Sequence, residues 1–127
     1  MPKRLLIAED NEASREMLST FARSAGYDVV AVKDGVDLLS VARDSGFDAI
    51  ITDLMMAPLD GAAAAEILKM LGSSVPVIAL TALDPQDLPL VADRFARIFH
   101  KPCNFKELFE FIDGLTPNDG KHAQGGL

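Results

Sequence analysis

Five short apolar segments, separated by helix-like stretches, are the feature of this sequence that most restricts its fold. Four of the five are almost continuously apolar instead of alternating between apolar and polar residues. Such strands are typical of a parallel sheet covered on both faces, because neither side of the strand meets water. The segments are Arg4–Ala8, Asp28–Val32, Ala49–Thr52, Val75–Leu80 and Arg97–Phe99. Their alternation with helices predicts an α/β fold around a parallel sheet.

Capping side chains and glycines mark the helices between these strands. An Asn or Asp can begin each helix by accepting a backbone N–H, and a glycine follows most of the apolar faces. The predicted helices run from Asn11 to Ala25, from Asp34 to about Ser45, from Asp60 to about Gly72 and from Asn104 to Gly114. The fourth helix in chain order, which would follow the fourth strand, has the weakest signal, because Pro89 falls four residues after the opening Asp84-Pro85. We expect a short and mobile element there.

Length and charge restrict the class of protein. The chain has 127 residues, a formal net charge of −7 and one cysteine, Cys103. The sequence predicts one domain over residues 1–115 and a disordered tail over residues 116–127, which is rich in glycine and has no apolar face. The negative charge argues against direct nucleic-acid binding, and no apolar run approaches the roughly 18 residues of a membrane span. A cytoplasmic protein is the expectation.

Polar residues of particular types end four of the five strands. Glu9 and Asp10 follow the first strand, Asp53 the third, Thr81 the fourth and Lys101 the fifth. The carboxyl ends of parallel strands meet at one edge of the sheet, so these side chains should share a crevice. Singly, each has an ordinary interpretation as a cap, a turn residue or a solvated charge. Together they indicate a magnesium and phosphoryl site.

The chemistry of this set is that of phosphoryl transfer. Carboxylate oxygens are the ligands that Mg²⁺ prefers, and Asp10, Asp53 and Glu9 supply three, with a backbone carbonyl just past Asp53 as a further candidate. A carboxylate beside a bound cation can attack phosphorus and form an acyl phosphate. Asp53 is the predicted nucleophile, since its strand lies at the centre of the sheet. The Lys101 ammonium and the Thr81 hydroxyl would neutralise and hydrogen-bond the phosphoryl oxygens.

The set of motifs matches the pattern of a known family over about residues 3 to 115. The motifs are Glu9-Asp10, Asp53 in "DAIITDLMM", Asp60-Gly61, Thr81-Ala82 and Lys101-Pro102. With them the chain resembles the receiver domain of two-component response regulators. The resemblance implies a flavodoxin-like, doubly wound five-stranded parallel sheet in the order 2-1-3-4-5, with helices on both faces.

The resemblance also implies roles and partners. Asp53 would accept a phosphoryl group from a histidine kinase or a histidine phosphotransfer protein. Mg²⁺ would be bound by Glu9, Asp10, Asp53 and the backbone carbonyl of Met55. Thr81 and Lys101 would contact the phosphoryl group. The protein would act as a phosphoacceptor and not as a turnover enzyme. It would signal to a downstream protein, or to a second copy, through the face formed by the fourth helix, the fifth strand and the last helix.

The position of the usual aromatic residue departs from the family pattern. The family usually carries an aromatic residue three positions before the lysine, where this chain has Ile98, with Phe99 beside it as a candidate substitute. This departure supports the alternative of a pseudo-receiver that binds proteins without being phosphorylated. A hydrolase of acyl phosphates or phosphate esters would need a second acid at Met55. An FMN-binding flavodoxin is disfavoured, because the loop after the first strand is acidic.

Two apolar features suggest further hypotheses. Met55 and Leu83 lie two residues after Asp53 and Thr81, where bulky side chains would exclude water from an aspartyl phosphate. Phe111 lies off the main apolar face of the last helix and has two interpretations, as edge packing or as a partner contact.

Overall fold

The computed structural model describes residues 3–43, 46–84, 86, 88 and 94–115. Within them, strands and helices alternate along the chain. The strands are β1 (Arg4–Ala8), β2 (Asp28–Val32), β3 (Ala49–Asp53), β4 (Val77–Thr81) and β5 (Arg97–His100). The helices are α1 (Glu12–Ser24), α2 (Gly35–Ala42), α3 (Gly61–Met70) and α4 (Phe105–Leu115). Most of the helix expected between β4 and β5, and the tail expected at 116–127, lie outside the described residues.

The five strands form one parallel sheet in the order β2-β1-β3-β4-β5, as predicted. Register pairs Leu6 with Ile50, and Ile51 with Ile78, so β1, β3 and β4 run side by side through the interior. Every residue of β3 and of β4 is buried. Burial of each large aliphatic side chain stabilises the fold by roughly 1.5–3 kcal/mol, which explains the continuously apolar segments.

Helices cover both faces of the sheet. Neighbouring residues on a strand point to opposite faces, so each strand contributes to two apolar clusters. The first cluster joins Leu5 and Ile7 to α1 and α4, and the second joins Leu6 and Ile50 to α2 and α3. The sheet therefore has an apolar cluster and a pair of helices on each face, which is the doubly wound architecture.

The predicted helix caps are confirmed, and some ends differ. The cap side chains that accept a backbone N–H are Asn11, Asp34, Asp60 and Asn104. Gly26 and Gly72 have φ angles of 99° and 88°, a conformation that glycine adopts without strain. α2 ends at Ala42, before the predicted limit. β4 begins at Val77 and not at Val75, because Pro76 has no N–H to donate to the ladder.

No helix among the described residues is long and apolar enough to cross a membrane.

Tyr27 ties the end of α4 to the start of β2. Its ring packs against Phe109, with the ring centroids 5.4 Å apart. Its hydroxyl donates a hydrogen bond to the carboxylate of Asp113, near the end of α4. Lys3 donates to the backbone carbonyl of Asp113 over 3.3 Å. Burial, together with the bond to Asp113, raises the pKa of Tyr27 well above its ordinary value of 10.0.

We expect this shift to be measurable directly, because Tyr27 is the only tyrosine and the chain has no tryptophan. In an alkaline titration followed by tyrosinate absorbance, the folded protein should ionise well above pH 10.0, its ordinary pKa. The same chain in denaturant should ionise near the ordinary value. The free energy that Tyr27 contributes to stability is therefore fully present below its ordinary pKa, and it is lost as the pH rises through the pKa of the folded state.

Asp113→Asn is the matched variant for this titration. It should bring the pKa of Tyr27 down toward the ordinary value while the ring remains buried. Identical titration curves for both proteins would show that Asp113 does not influence the tyrosine.

Candidate functional site

The carboxyl edge of the sheet brings the five predicted residues to one place. Glu9 and Asp10 follow β1, Asp53 is the last residue of β3, Thr81 is the last residue of β4, and Lys101 follows β5. Because β3 lies between β1 and β4, Asp53 occupies the centre of this edge. The strand order thus places residues that are far apart in the sequence around one carboxylate.

Three carboxylates form an acidic cluster there. Glu9, Asp10 and Asp53 each offer an oxygen, and these oxygens all lie within 4.8 Å of one another. Glu9 is 3% exposed and Asp53 is 7% exposed, whereas Asp10 faces solvent. Two such charges 5 Å apart repel by roughly 3 kcal/mol at an effective dielectric constant of about 20. Close, buried oxygen donors of this kind fit a hard divalent cation such as Mg²⁺.

Lys101 neutralises part of this charge. Its Nζ donates hydrogen bonds of 2.8 Å to Glu9 Oε1 and of 2.8 Å to Asp53 Oδ2. Its backbone N–H donates to the carbonyl of Thr81 over 2.7 Å, which extends the pairing of β5 with β4. Lys101 therefore links β5 to both β3 and β1 across the edge of the sheet.

Burial and hydrogen bonds have opposing effects on the pKa of Glu9 and on the pKa of Lys101. Burial raises the pKa of Glu9, although the hydrogen bonds from Lys101 and from the Asn11 N–H act in the opposite direction. For Lys101, burial works to lower the pKa, but the hydrogen bonds to Asp53 and Glu9 prevail and raise it. The ammonium is therefore held in its charged form inside the acidic cluster.

Local turns orient the two central side chains. The Met55 N–H donates to Asp53 Oδ1 over 3.0 Å, while Lys101 holds the other oxygen of that carboxylate. The Leu83 N–H donates in the same way to Thr81 Oγ1 over 3.0 Å. Thr81 is buried, and among the described residues its hydroxyl makes no hydrogen bond to the acidic cluster. The carboxylate of Asp53 is thus fixed, and Thr81 lies at the same edge without a direct link to it.

Two supporting residues escaped the sequence reasoning. Thr52 is fully buried, and its hydroxyl donates to the carbonyl of Asp53 over 3.0 Å. Arg15, on α1, donates from Nη1 to the carbonyl of Glu9 over 2.9 Å. Nothing in the sequence signals either contact, because each depends on where the backbone of another residue lies.

The structure shows why position 61 must be glycine, and the reason is steric. Its N–H donates to the carbonyl of Leu54 over 3.1 Å, which brings the start of α3 against the end of β3. A Cβ at Gly61 would lie 2.2 Å from the carbonyl oxygen of Asp53 and 2.9 Å from Thr52 Oγ1. Only glycine lets the helix approach the strand this closely.

The hypothesis that Phe99 takes the place of the family's usual aromatic residue is wrong. Ile98 points toward the α2 and α3 face, whereas Phe99 is buried on the α1 and α4 face. The Phe99 ring meets the Phe111 ring edge-on, with centroids 6.0 Å apart, and the Arg97 guanidinium lies over both rings. Alternation along a strand is the physical reason. Phe111 is half-buried in the same cluster, which favours the edge-packing interpretation of that residue.

The fold and this edge of the sheet define a receiver-type α/β domain. The response regulator receiver domain model matches residues 5–113, and the chain belongs to that family. Among curated relatives, the response regulator MprA of Mycobacterium sp. (strain KMS) is 37% identical over 131 residues. That match covers 94% of this chain but 55% of MprA, so the chain spans about half the length of this relative.

Solved structures show the same fold. The response regulator TrrA of Thermotoga maritima, in complex with Mg²⁺ and BeF, superposes with a TM-score of 0.82 at 26% identity. That match covers 89% of this chain and 98% of TrrA. The receiver domain of the Saccharomyces cerevisiae response regulator Ssk1, crystallised with the histidine phosphotransfer protein Ypd1, gives a TM-score of 0.77 at 26% identity, covering 87% and 86% of the two chains.

We expect Gly61→Ala to destabilise the protein by about 1–3 kcal/mol, because the added methyl group must displace the backbone at Asp53. Urea unfolding followed by circular dichroism would measure the change. Gly114→Ala is the matched control, since that glycine lies in α4 with open space around it. It should stabilise the protein by about 0.5–1 kcal/mol. Equal stabilities for the two variants would contradict the steric explanation.

Proposed function

We propose that this chain is a phosphoacceptor in a two-component or phosphorelay pathway, and that Asp53 takes a phosphoryl group from a phosphohistidine donor. The observation that carries the proposal is the pair of hydrogen bonds from Lys101 to Glu9 and Asp53 inside a cluster of three carboxylates. A partly buried cluster of three carboxylates with one fixed ammonium costs electrostatic energy in the free protein and is suited to binding a cation and a phosphoryl group.

The proposed reaction is a single displacement at phosphorus. An oxygen of Asp53 forms a bond to phosphorus while the bond from phosphorus to the donor imidazole nitrogen breaks, and the nitrogen leaves with the electron pair. The product is an acyl phosphate on Asp53 and a free donor histidine. In this scheme the Met55 N–H orients the carboxylate, since it already holds Asp53 Oδ1.

Glu9, Asp10, Asp53 and the backbone carbonyl of Met55 would hold Mg²⁺ in this proposal. The cation would neutralise charge on the phosphoryl oxygens. Lys101 would exchange its bond to Asp53 for one to a phosphoryl oxygen. The buried Thr81 hydroxyl would rotate from its turn toward the same group, which links phosphorylation to movement of the chain after β4.

A histidine kinase or a histidine phosphotransfer protein is the proposed donor. Ssk1, which was crystallised with such a protein, supports this choice by its similarity. The site also has room beside it, because a cavity of about 470 Å³ opens next to Glu9 and Lys101. Apolar side chains of Met17, Leu18 and Phe105 line much of that cavity, as suits contact with a protein.

We also propose where the chain acts and how it passes on its signal. The chain would act in the cytoplasm, would undergo phosphorylation and dephosphorylation without turning over a separate substrate, and would need no direct nucleic-acid contact. A downstream protein or a second copy would bind at the face that includes β5 and α4. The second candidate function is a pseudo-receiver, and Ile98 at the usual aromatic position is the observation that favours it.

The direct test is intact mass spectrometry after incubation with acetyl phosphate and Mg²⁺. We expect the mass to increase by one phosphoryl group, and the increase should require both the cation and Asp53. Asp53→Asn is the control, because it preserves shape and removes the nucleophile. Failure of both acetyl phosphate and a phosphorylated histidine donor to modify the chain would favour the pseudo-receiver.

Met55 and Leu83 should prolong the aspartyl phosphate by keeping water away from it. Met55 is 59% exposed, and Leu83 is half-buried at the edge of the second apolar cluster. The double change Met55→Gln with Leu83→Asn should speed phosphate loss several-fold, as followed by the decay of the phosphorylated mass. Met70→Gln, at a 76% exposed position on α3, is the matched control. An unchanged decay rate in the double variant would rule out water exclusion by these side chains.

A further inference from the structure

A second polar cleft lies between α1 and the edge strand β2, and none of the three clustered carboxylates lines it. Its volume is about 350 Å³. Arg15, Ser19 and Arg23 line it, and their spacing of four residues places them on one face of α1. Two cations and a hydroxyl thus face one groove of a protein whose formal net charge is −7.

Both guanidinium groups are anchored at one point and retain spare donors. Arg15 donates to the carbonyl of Glu9 over 2.9 Å, and Arg23 donates to the carbonyl of Val29 over 3.4 Å. A guanidinium carries five N–H donors, so each has capacity for a ligand. Among the described residues, no carboxylate forms an ion pair with either arginine.

Ser19 provides a second, independent observation. It is 3% exposed, and its Oγ has no hydrogen-bond partner among the described residues. An unpartnered buried hydroxyl is costly, by about 1–3 kcal/mol, unless a ligand or a water satisfies it. Ser19 is among the residues that line the cleft, midway between the two arginines, and a rotation of its side chain would turn this hydroxyl toward a ligand held by both of them.

The positions of the anchors set the shape of the ligand. Leu5 pairs with Val29, and Glu9 lies four residues further along the chain from Leu5. The two anchoring carbonyls are therefore about 13 Å apart along the strand direction. A single compact anion cannot meet both guanidinium groups at that separation, whereas an elongated molecule can.

We propose that this cleft binds an elongated small molecule with a phosphate or carboxylate group at each end, held by Arg15 and Arg23, and with a central oxygen that accepts a hydrogen bond from Ser19. The proposed site is separate from the Asp53 site. Glu16 also lines the cleft, and its exposed carboxylate weakens the binding of anions.

The test is an amide NMR titration of the full chain without Mg²⁺, so that the acidic cluster holds no cation to attract the probe. Tripolyphosphate and 3,3′-oxydipropionate, which both carry a central oxygen, are the two-ended probes, and inorganic phosphate is the one-ended probe. We expect shifts centred on Ser19, Thr20 and Ala31, with tighter binding of at least one two-ended probe than of phosphate. Comparison of the two two-ended probes identifies the head group. Absence of binding by both, or shifts centred on Thr81 and Lys101, would overturn the proposal.

Charge variants make the test specific. Arg23→Gln should weaken binding about tenfold, since it removes a charged hydrogen-bond donor. Glu16→Gln should tighten it, and Asp53→Asn should leave it unchanged. Arg43→Gln is the matched control, because it removes the same charge from an exposed residue at the end of α2. Equal affinities in Arg23→Gln and Arg43→Gln would mean that only overall charge matters, which contradicts a built site.

Ser19→Ala separates ligand binding from a structural role. It should weaken binding without lowering the melting temperature, because the hydroxyl has no hydrogen-bond partner to lose in the part of the chain that the structure describes. A lower melting temperature with unchanged affinity would show that the hydroxyl serves the fold and would remove it from the proposed site.

Discussion

Lys101 donates hydrogen bonds to Glu9 and Asp53, and the rest of the carboxyl edge depends on this contact. Without an ammonium there, three carboxylate oxygens within 4.8 Å of one another would repel strongly in a partly buried setting. The fold tolerates this cluster of charges because Lys101, Asp53 and Glu9 lie at the ends of three separate strands, β5, β3 and β1. Electrostatic attraction at this edge therefore requires the whole sheet to be assembled, and the sheet in turn requires its apolar interior.

The interior of the sheet and the candidate site meet at β3. Residues of this strand are buried from Ala49 to Asp53, so the carboxylate of Asp53 lies in closely packed surroundings. Thr52 holds the carbonyl of Asp53 from one side, and Gly61 brings the start of α3 against it from the other. The carbonyl of Asp53 is therefore packed so closely against the start of α3 that no side-chain atom fits between them.

Sequence reasoning captured the strands, the helix caps and the residue types at the carboxyl edge. It succeeded there because a doubly covered strand has a simple composition and because a cap is a local interaction within three residues. It offered Phe99 as a substitute for the usual aromatic residue, although the alternation of side chains along β5 turns Phe99 to the opposite face from Ile98. It could not foresee the contacts of Tyr27 with Asp113, of Arg15 with Glu9 or of Gly61 with Asp53. Each of these joins segments whose separation is decided by packing.

The sequence by itself determined that a buried parallel sheet would form and that carboxylate, hydroxyl and ammonium groups would follow its strands. Those properties are local, since they depend on the hydrophobicity of short segments and on the residue that ends each one. Only the tertiary structure decided that Lys101 contacts Glu9 and Asp53 together, that Phe99 turns away from Ile98, and that the buried hydroxyl of Ser19 has no partner within the described part of the chain. These properties depend on strand order, register and helix packing, which arise from contacts between residues far apart in the chain.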